Sequence, residues 1–227
     1  MIRQILHILF VVSCAFQLVA QSSNELGLMS YVNVNKKFEK DWNLNLKIGN
    51  RQSLVRDLFG EYPQRGLENI RTDFSLFATQ SIIFNQRIAL GYITIIGDGE
   101  TQHRLIQQYA LVSKFDDFSL SQRVSVNQIW KKDEDLRFRL RYRIASSIPL
   151  NGQTINPSEF YLKVSNEFVN SWQGDTYDLE IRLAPFVGYG ISKMHKVEIG
   201  LDYRINSFLV DSPTNRLWIN LNWYVSL

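Results

Sequence analysis

Arg137, Phe138, Arg139, Leu140, Arg141, Tyr142, Arg143 and Ile144 follow one another along the chain. Four arginines thus alternate with four large apolar residues at a period of two. Successive side chains of a β-strand point to opposite faces, so this segment reads as a strand with one arginine face and one apolar face. A helix would spread both kinds of residue around its circumference. The arginine face has no place in an apolar core, where an unpaired charge is prohibitively costly. The apolar face has no place in water. Lipid outside and a wet lumen inside suit both, which is the wall of a transmembrane β-barrel.

The same alternation recurs along the chain. Trp42, Leu44, Leu46 and Ile48 oppose Asn43, Asn45 and Lys47. Phe118, Leu120, Val124 and Val126 oppose Ser119, Ser121, Arg123 and Ser125. Val197, Ile199, Leu201 and Tyr203 oppose Glu198, Asp202 and Arg204. The apolar faces carry no charged residue, and a charge at bilayer mid-depth would cost roughly 2–4 kcal/mol. The expected fold is therefore all-β, an antiparallel up-and-down transmembrane β-barrel. Eleven segments read directly from the pattern. Single-chain bacterial barrels have even strand numbers, so about 12 strands are expected, the twelfth within Gln52 to Thr72, with 10 as the alternative. Two classes of connection are also expected. Gln52 to Thr72, Gly97 to Gln102 and Ser207 to Asn215 read as longer outer loops, and Asn85-Gln86 and Asp116-Asp117 as short inner turns, while the Leu150 to Ser158 connection, on the inner side, breaks the length pattern.

The chain begins with Arg3, then an apolar run from Ile5 to Ala15, then Leu18-Val19-Ala20 before Gln21. This is the layout of a secretory signal peptide, too short for a spanning helix. The expected organisation is residues 1–20 as signal peptide and 21–227 as barrel, located in the outer membrane of a Gram-negative bacterium. Cys14 is the only cysteine. Val11-Val12-Ser13-Cys14 superficially fits a lipoprotein box, so lipidation stays open as the lesser alternative. Cleavage after Ala20 would leave no cysteine for a disulfide, a thiol nucleophile or a thiolate metal site. The net charge is +3, which gives no case for nucleic acid.

Function must come from the lumen. The ladder Arg137, Arg139, Arg141 and Arg143 is a candidate anion site. Glu167, Glu180, Glu198 and Asp202 are the candidate lumen partners for those charges. Arginine–carboxylate networks fill small barrels, so a closed structural barrel is the leading expectation. The alternative is a small anion-favouring pore for small solutes, because rings of arginine select anions. A lipid-modifying outer-membrane enzyme ranks third. It needs serine and histidine in reach of each other, and only His103 and His195 follow the leader. No enzyme activity, cofactor or metal is expected, two distant histidines making no metal site. Expected partners are outer-membrane lipid, the barrel-assembly machinery and a small anionic solute. Trp223, Val225 and Leu227 alternate to the last residue like an assembly signal, with Leu227 in place of the usual terminal phenylalanine.

Several segments together carry a family resemblance. They are the Ala20-Gln21 leader end, Trp42-Asn43-Leu44, His103-Arg104-Leu105-Ile106-Gln107-Gln108, Leu120-Ser121-Gln122-Arg123, the arginine ladder, and Tyr161 to Phe168 with Asn166-Glu167. With these the mature chain resembles a family of uncharacterised bacterial outer-membrane barrels, a domain of unknown function common in Bacteroidetes-type bacteria. The resemblance implies barrel and location, and no activity.

Overall fold

The computed structural model describes residues 24–39, 41–60 and 62–227. The expected leader, its Ala20-Gln21 cleavage point and Cys14 lie outside the described residues. Among the described residues every regular element is a strand. In chain order they are β1 (Asn24–Lys37), β2 (Trp42–Arg56), β3 (Gln64–Ile83), β4 (Gln86–Gly97), β5 (Glu100–Lys114) and β6 (Ser119–Lys131). Then follow β7 (Arg137–Pro149), β8 (Phe160–Gln173), β9 (Thr176–Gly190), β10 (His195–Asn206) and β11 (Thr214–Ser226). The sheet is a closed barrel in which each strand lies beside its chain neighbours.

The wall has eleven strands, between the expected twelve and the alternative ten. The segment Gln52 to Thr72 holds no extra strand. Its ends lengthen β2 and β3 instead, and Gln52 to Arg56 pair with Asn69 back to Gln64 through two irregularities in register. The odd number has a geometric consequence. In an up-and-down barrel, strands one and eleven run in the same direction, so the seam must be parallel. β1 and β11 do pair in parallel, from Asn24 beside Asn215 to Asn35 beside Ser226. All other neighbours are antiparallel hairpins, which need no crossover.

The register sorts side chains into two layers. Arg143 lies beside Arg123 on β6, and Arg123 beside Ala110 on β5, so these share the inner face with the whole ladder. Phe138, Leu140 and Tyr142 share the outer one. Burial is inverted relative to a water-soluble protein. The outer layer leaves Leu46, Leu90, Ile199 and Leu221 about half exposed, whereas Asn127, Glu167, Glu180 and Glu198 are buried inside.

The inner layer also shows a packing device. Five glycines lie directly across a strand pair from an aromatic ring: Gly27 from Trp218, Gly49 from Tyr31, Gly91 from Phe77, Gly188 from Tyr161 and Gly200 from Phe186. In each pair a β-carbon on the glycine would stand within 2.5 Å of a ring atom. The rings therefore lie flat over bare backbone, which restores the packing that glycine gives up in a strand.

The connections are shorter than the sequence suggests. The link expected over Gly97 to Gln102 is a two-residue turn, Asp98 (φ 54 being found at the similar Asp57, and 51 here) followed by Gly99 at φ 74. Two successive positive φ values match the type I′ turn that best fits strand twist. The longest link, residues 150–159, falls at the same end as the short turn at residues 84–85. Loop length thus does not separate the two ends.

Candidate functional site

The strands bring the expected lumen charges together in the interior, but unevenly. Arg143 is the direct cross-strand neighbour of Glu167. The carboxylate is nevertheless claimed by others: Arg141 at 2.7 Å, Arg182 at 3.0 Å and Arg123 at 3.4 Å. Long guanidinium side chains reach diagonally, so the ion pairs do not follow the Cα register. Arg143 donates instead to Ser165 Oγ at 3.0 Å. Arg137, at the end of the ladder, donates through Nε to Gln173 Oε1 at 2.8 Å and lies 3.8 Å from Glu134. Arg139 has a buried Nε with no hydrogen-bond partner.

The other candidate partners serve different cations. Glu180 holds Arg182 at 2.8 Å and reaches Arg204 at 4.0 Å, while exerting an attraction on Arg139 without a hydrogen bond. Asp202 pairs with Arg204 at 2.6 Å. Glu198 sits elsewhere, with both oxygens 2.9 Å from Lys163 Nζ, and accepts bonds from the hydroxyls of Tyr161 and Tyr224, each at 3.0 Å. Of the four carboxylates, Glu167 alone makes an ion pair with a ladder arginine, Arg141. Glu167, Arg182, Glu180, Arg204 and Asp202 form a chain of alternating charge across β8, β9 and β10. Three of the links are charge-assisted hydrogen bonds, the stronger class, and the Glu180–Arg204 link, at 4.0 Å, is an ion pair without one.

Lys47 and Arg51, which make no ion pair among the described residues, use rings as partners. Lys47 Nζ stands 3.7 Å from the centre of the Tyr31 ring, and the Arg51 guanidinium 4.9 Å from that of Trp218. A desolvated cation over an aromatic face gains about 2 kcal/mol. This compensation was not anticipated. The sequence signal was available, since Tyr31 and Trp218 interrupt otherwise polar inner faces.

Beside Glu198 the lumen widens into a cavity of about 300 Å3. Tyr161, Lys163, Lys193, Lys196, Glu198 and Tyr224 are among its lining residues. His103 and His195 are both on the outer face. His103 Nδ1 lies 2.8 Å from the Tyr92 hydroxyl, and the His195 ring packs against Trp223 at 5.9 Å. Trp223 and Val225 also face outward, and Leu227 is tied by its backbone, N–H to Asn35 O at 2.8 Å.

The family model described as "Protein of unknown function (DUF2490)" matches residues 27–215. The chain belongs to this family. The DUF2490 match runs from Gly27 on β1 to Asn215 on β11 and so covers nearly the whole wall, including every carboxylate and every ladder arginine named above. No curated protein and no solved structure matches the chain.

Proposed function

We propose that this protein is an integral outer-membrane β-barrel whose lumen is closed by its own side chains, with a structural role in that membrane. One observation carries the reading: its burial is inside out. Every strand leaves at least one large apolar residue exposed on its outer face, whereas the buried interior is rich in amides and charges. A soluble protein would not present such a surface to water, where large apolar patches mark an interaction surface. Lipid is the environment that accepts it on all sides of a closed barrel. The interior supports closure. Met29, Trp218, Asn127, Ile129 and Val169 come from four different strands and are at most 2% exposed. Inner-face residues along an open aqueous channel would remain accessible.

Two outcomes are expected. Membrane fractionation should place the folded protein with the outer membrane, and unboiled protein should migrate ahead of boiled protein on a denaturing gel. Purified protein in planar bilayers should then give no stable conductance. A steady anion-selective current would overturn closure, and recovery in the soluble fraction would overturn the membrane reading. No catalytic role is assigned to His103 or His195.

Outer-membrane lipid and the barrel-assembly machinery are the partners this reading requires. The end of β11 and the residue after it would present Trp223, Val225 and Leu227 to that machinery. The chain end also closes the seam, where Leu227 N–H bonds to Asn35 O at 2.8 Å, and on the β10 side Ser226 N–H bonds to Met194 O at 2.8 Å. Removing Val225 to Leu227 is expected to lower the amount of folded barrel in the outer membrane several-fold. Unchanged levels in pulse-chase fractionation would refute this.

A further inference from the structure

Three arginines with a buried, unpartnered Nε make no ion pair among the described residues, Arg51, Arg104 and Arg139, and of these Arg51 lies over the Trp218 ring. Arg104 on β5 is 8% exposed; its Nε is buried without a partner, and it makes no ion pair among the described residues. Arg139, the second rung of the ladder, likewise has a buried Nε without a partner. Between them β6 contributes Asn127, 0% exposed, with neither Nδ2 nor Oδ1 hydrogen-bonded. These residues are contiguous. Asn127 lies directly beside Arg139 on one side and Ile106 on the other, and Arg104 is the next inward-facing residue to Ile106 along β5. Arg139 is the strongest charged neighbour of Arg104, followed by Arg71 and Arg141. The acid that acts on Arg104 is Asp73, which Arg71 already holds at 3.1 Å. Glu180 attracts Arg139 but is bonded to Arg182.

A buried water would supply hydrogen bonds and leave two adjacent positive charges uncompensated, which is the costly arrangement. An anion supplies both acceptors and charge. Guanidinium forks and an amide N–H suit a compact group with several lone pairs. We propose that Arg104, Asn127 and Arg139 form a buried binding site for one small inorganic anion, of chloride to phosphate size, held within the lumen as a structural ion. The remaining ladder arginines are not part of it, because Arg137, Arg141 and Arg143 are bonded to Gln173, Glu167 and Ser165. The site stands on the barrel interior and does not depend on the membrane reading.

The test uses the full-length folded protein in detergent. Its thermal unfolding midpoint is followed against sodium chloride and, separately, sodium phosphate, at ionic strength held constant with a bulky organic sulfonate. The midpoint should rise with each tenfold increase in one or both probe anions, as ligand linkage requires. Arg104→Gln and Arg139→Gln should each unfold at a higher temperature than wild type without the anion, because an unpaired charge has gone. They should also weaken the anion response about tenfold or more. Arg216→Gln, whose residue pairs with Glu25 at 3.1 Å, should keep the response. A flat wild-type midpoint in both anions, or full responses in both glutamine variants, overturns the site. If neither variant folds, bromide-soaked wild-type crystals decide. An anomalous peak between Arg104 and Arg139 supports the proposal, and its absence there overturns it.

Discussion

Glu167→Gln is expected to destabilise the folded barrel by about 3–5 kcal/mol, the usual loss when one member of a buried ion pair is removed. Glutamine keeps the volume and can still accept hydrogen bonds, so the change isolates the charge. In the native barrel Glu167 is 5% exposed and faces Arg141, Arg182 and Arg123 at 2.7, 3.0 and 3.4 Å. Arg182 retains Glu180 when Glu167 is neutralised. Arg141 and Arg123 lose their one carboxylate, while Arg143 stays at register distance and adds repulsion. The measurement is urea unfolding of the reconstituted barrel, followed by tryptophan fluorescence. A second substitution gives the internal control. Arg141→Met in the Glu167→Gln background should recover part of the loss, because an apolar side chain of similar length tolerates the site where an unpaired guanidinium does not. A loss below ~1 kcal/mol would place Glu167 in the range of exposed pairs, and would mean that water carries the charge compensation in the lumen.

Gly27→Val is expected to have the second large effect, about 3 kcal/mol or more, near the upper range for overpacking a filled interior. Gly27 sits on the parallel seam beside Trp218. A β-carbon there would come within 2.3 Å of the indole ring and 2.5 Å of the Gln52 carbonyl oxygen. The ring can rotate aside, but the carbonyl belongs to the β1–β2 ladder and cannot move without breaking it. Displacing the indole would also remove the surface over which Arg51 lies at 4.9 Å. The expected readout is a lower urea midpoint together with loss of the near-ultraviolet dichroism of Trp218. Gly66, where an added β-carbon meets nothing within 4 Å, is the matched control and should be neutral when changed to alanine. An unaltered midpoint for Gly27→Val would show that the seam is not closed by this contact.

The wall was legible because its signal is local. Inward Arg123, Arg141 and Arg143 and outward Val124, Leu140 and Tyr142 follow from parity alone once the strand is recognised. The eleven segments were legible too, but the even-number rule moved the expected count to twelve. The even-number rule gives an antiparallel seam, and only the pairing of β1 with β11 shows a parallel one. Parity also failed to assign ion pairs. Arg143 lies opposite Glu167 yet bonds to Ser165, whereas Arg141, beside Val169, reaches the carboxylate. Cross-strand register fixes Cα positions, but a guanidinium extends far enough to choose among several neighbours. The glycine–aromatic pairs had a readable half, an inward glycine, but the partner ring lies on a neighbouring strand whose register the sequence leaves open.

By itself, the sequence determined the strands, the face each residue occupies and the closed sheet, because a period of two in apolar and polar residues sorts them onto the two faces of a sheet. The tertiary structure decided how the inner charges are shared: Glu167 among three arginines, Glu198 between Lys163 and two tyrosines, and the Asn127 amide and the Nε atoms of Arg104 and Arg139 without a hydrogen-bond partner among the described residues. That division is physical. Which face a side chain occupies is set within its own strand, whereas neutralising a buried charge depends on what other strands bring within about 4 Å of it.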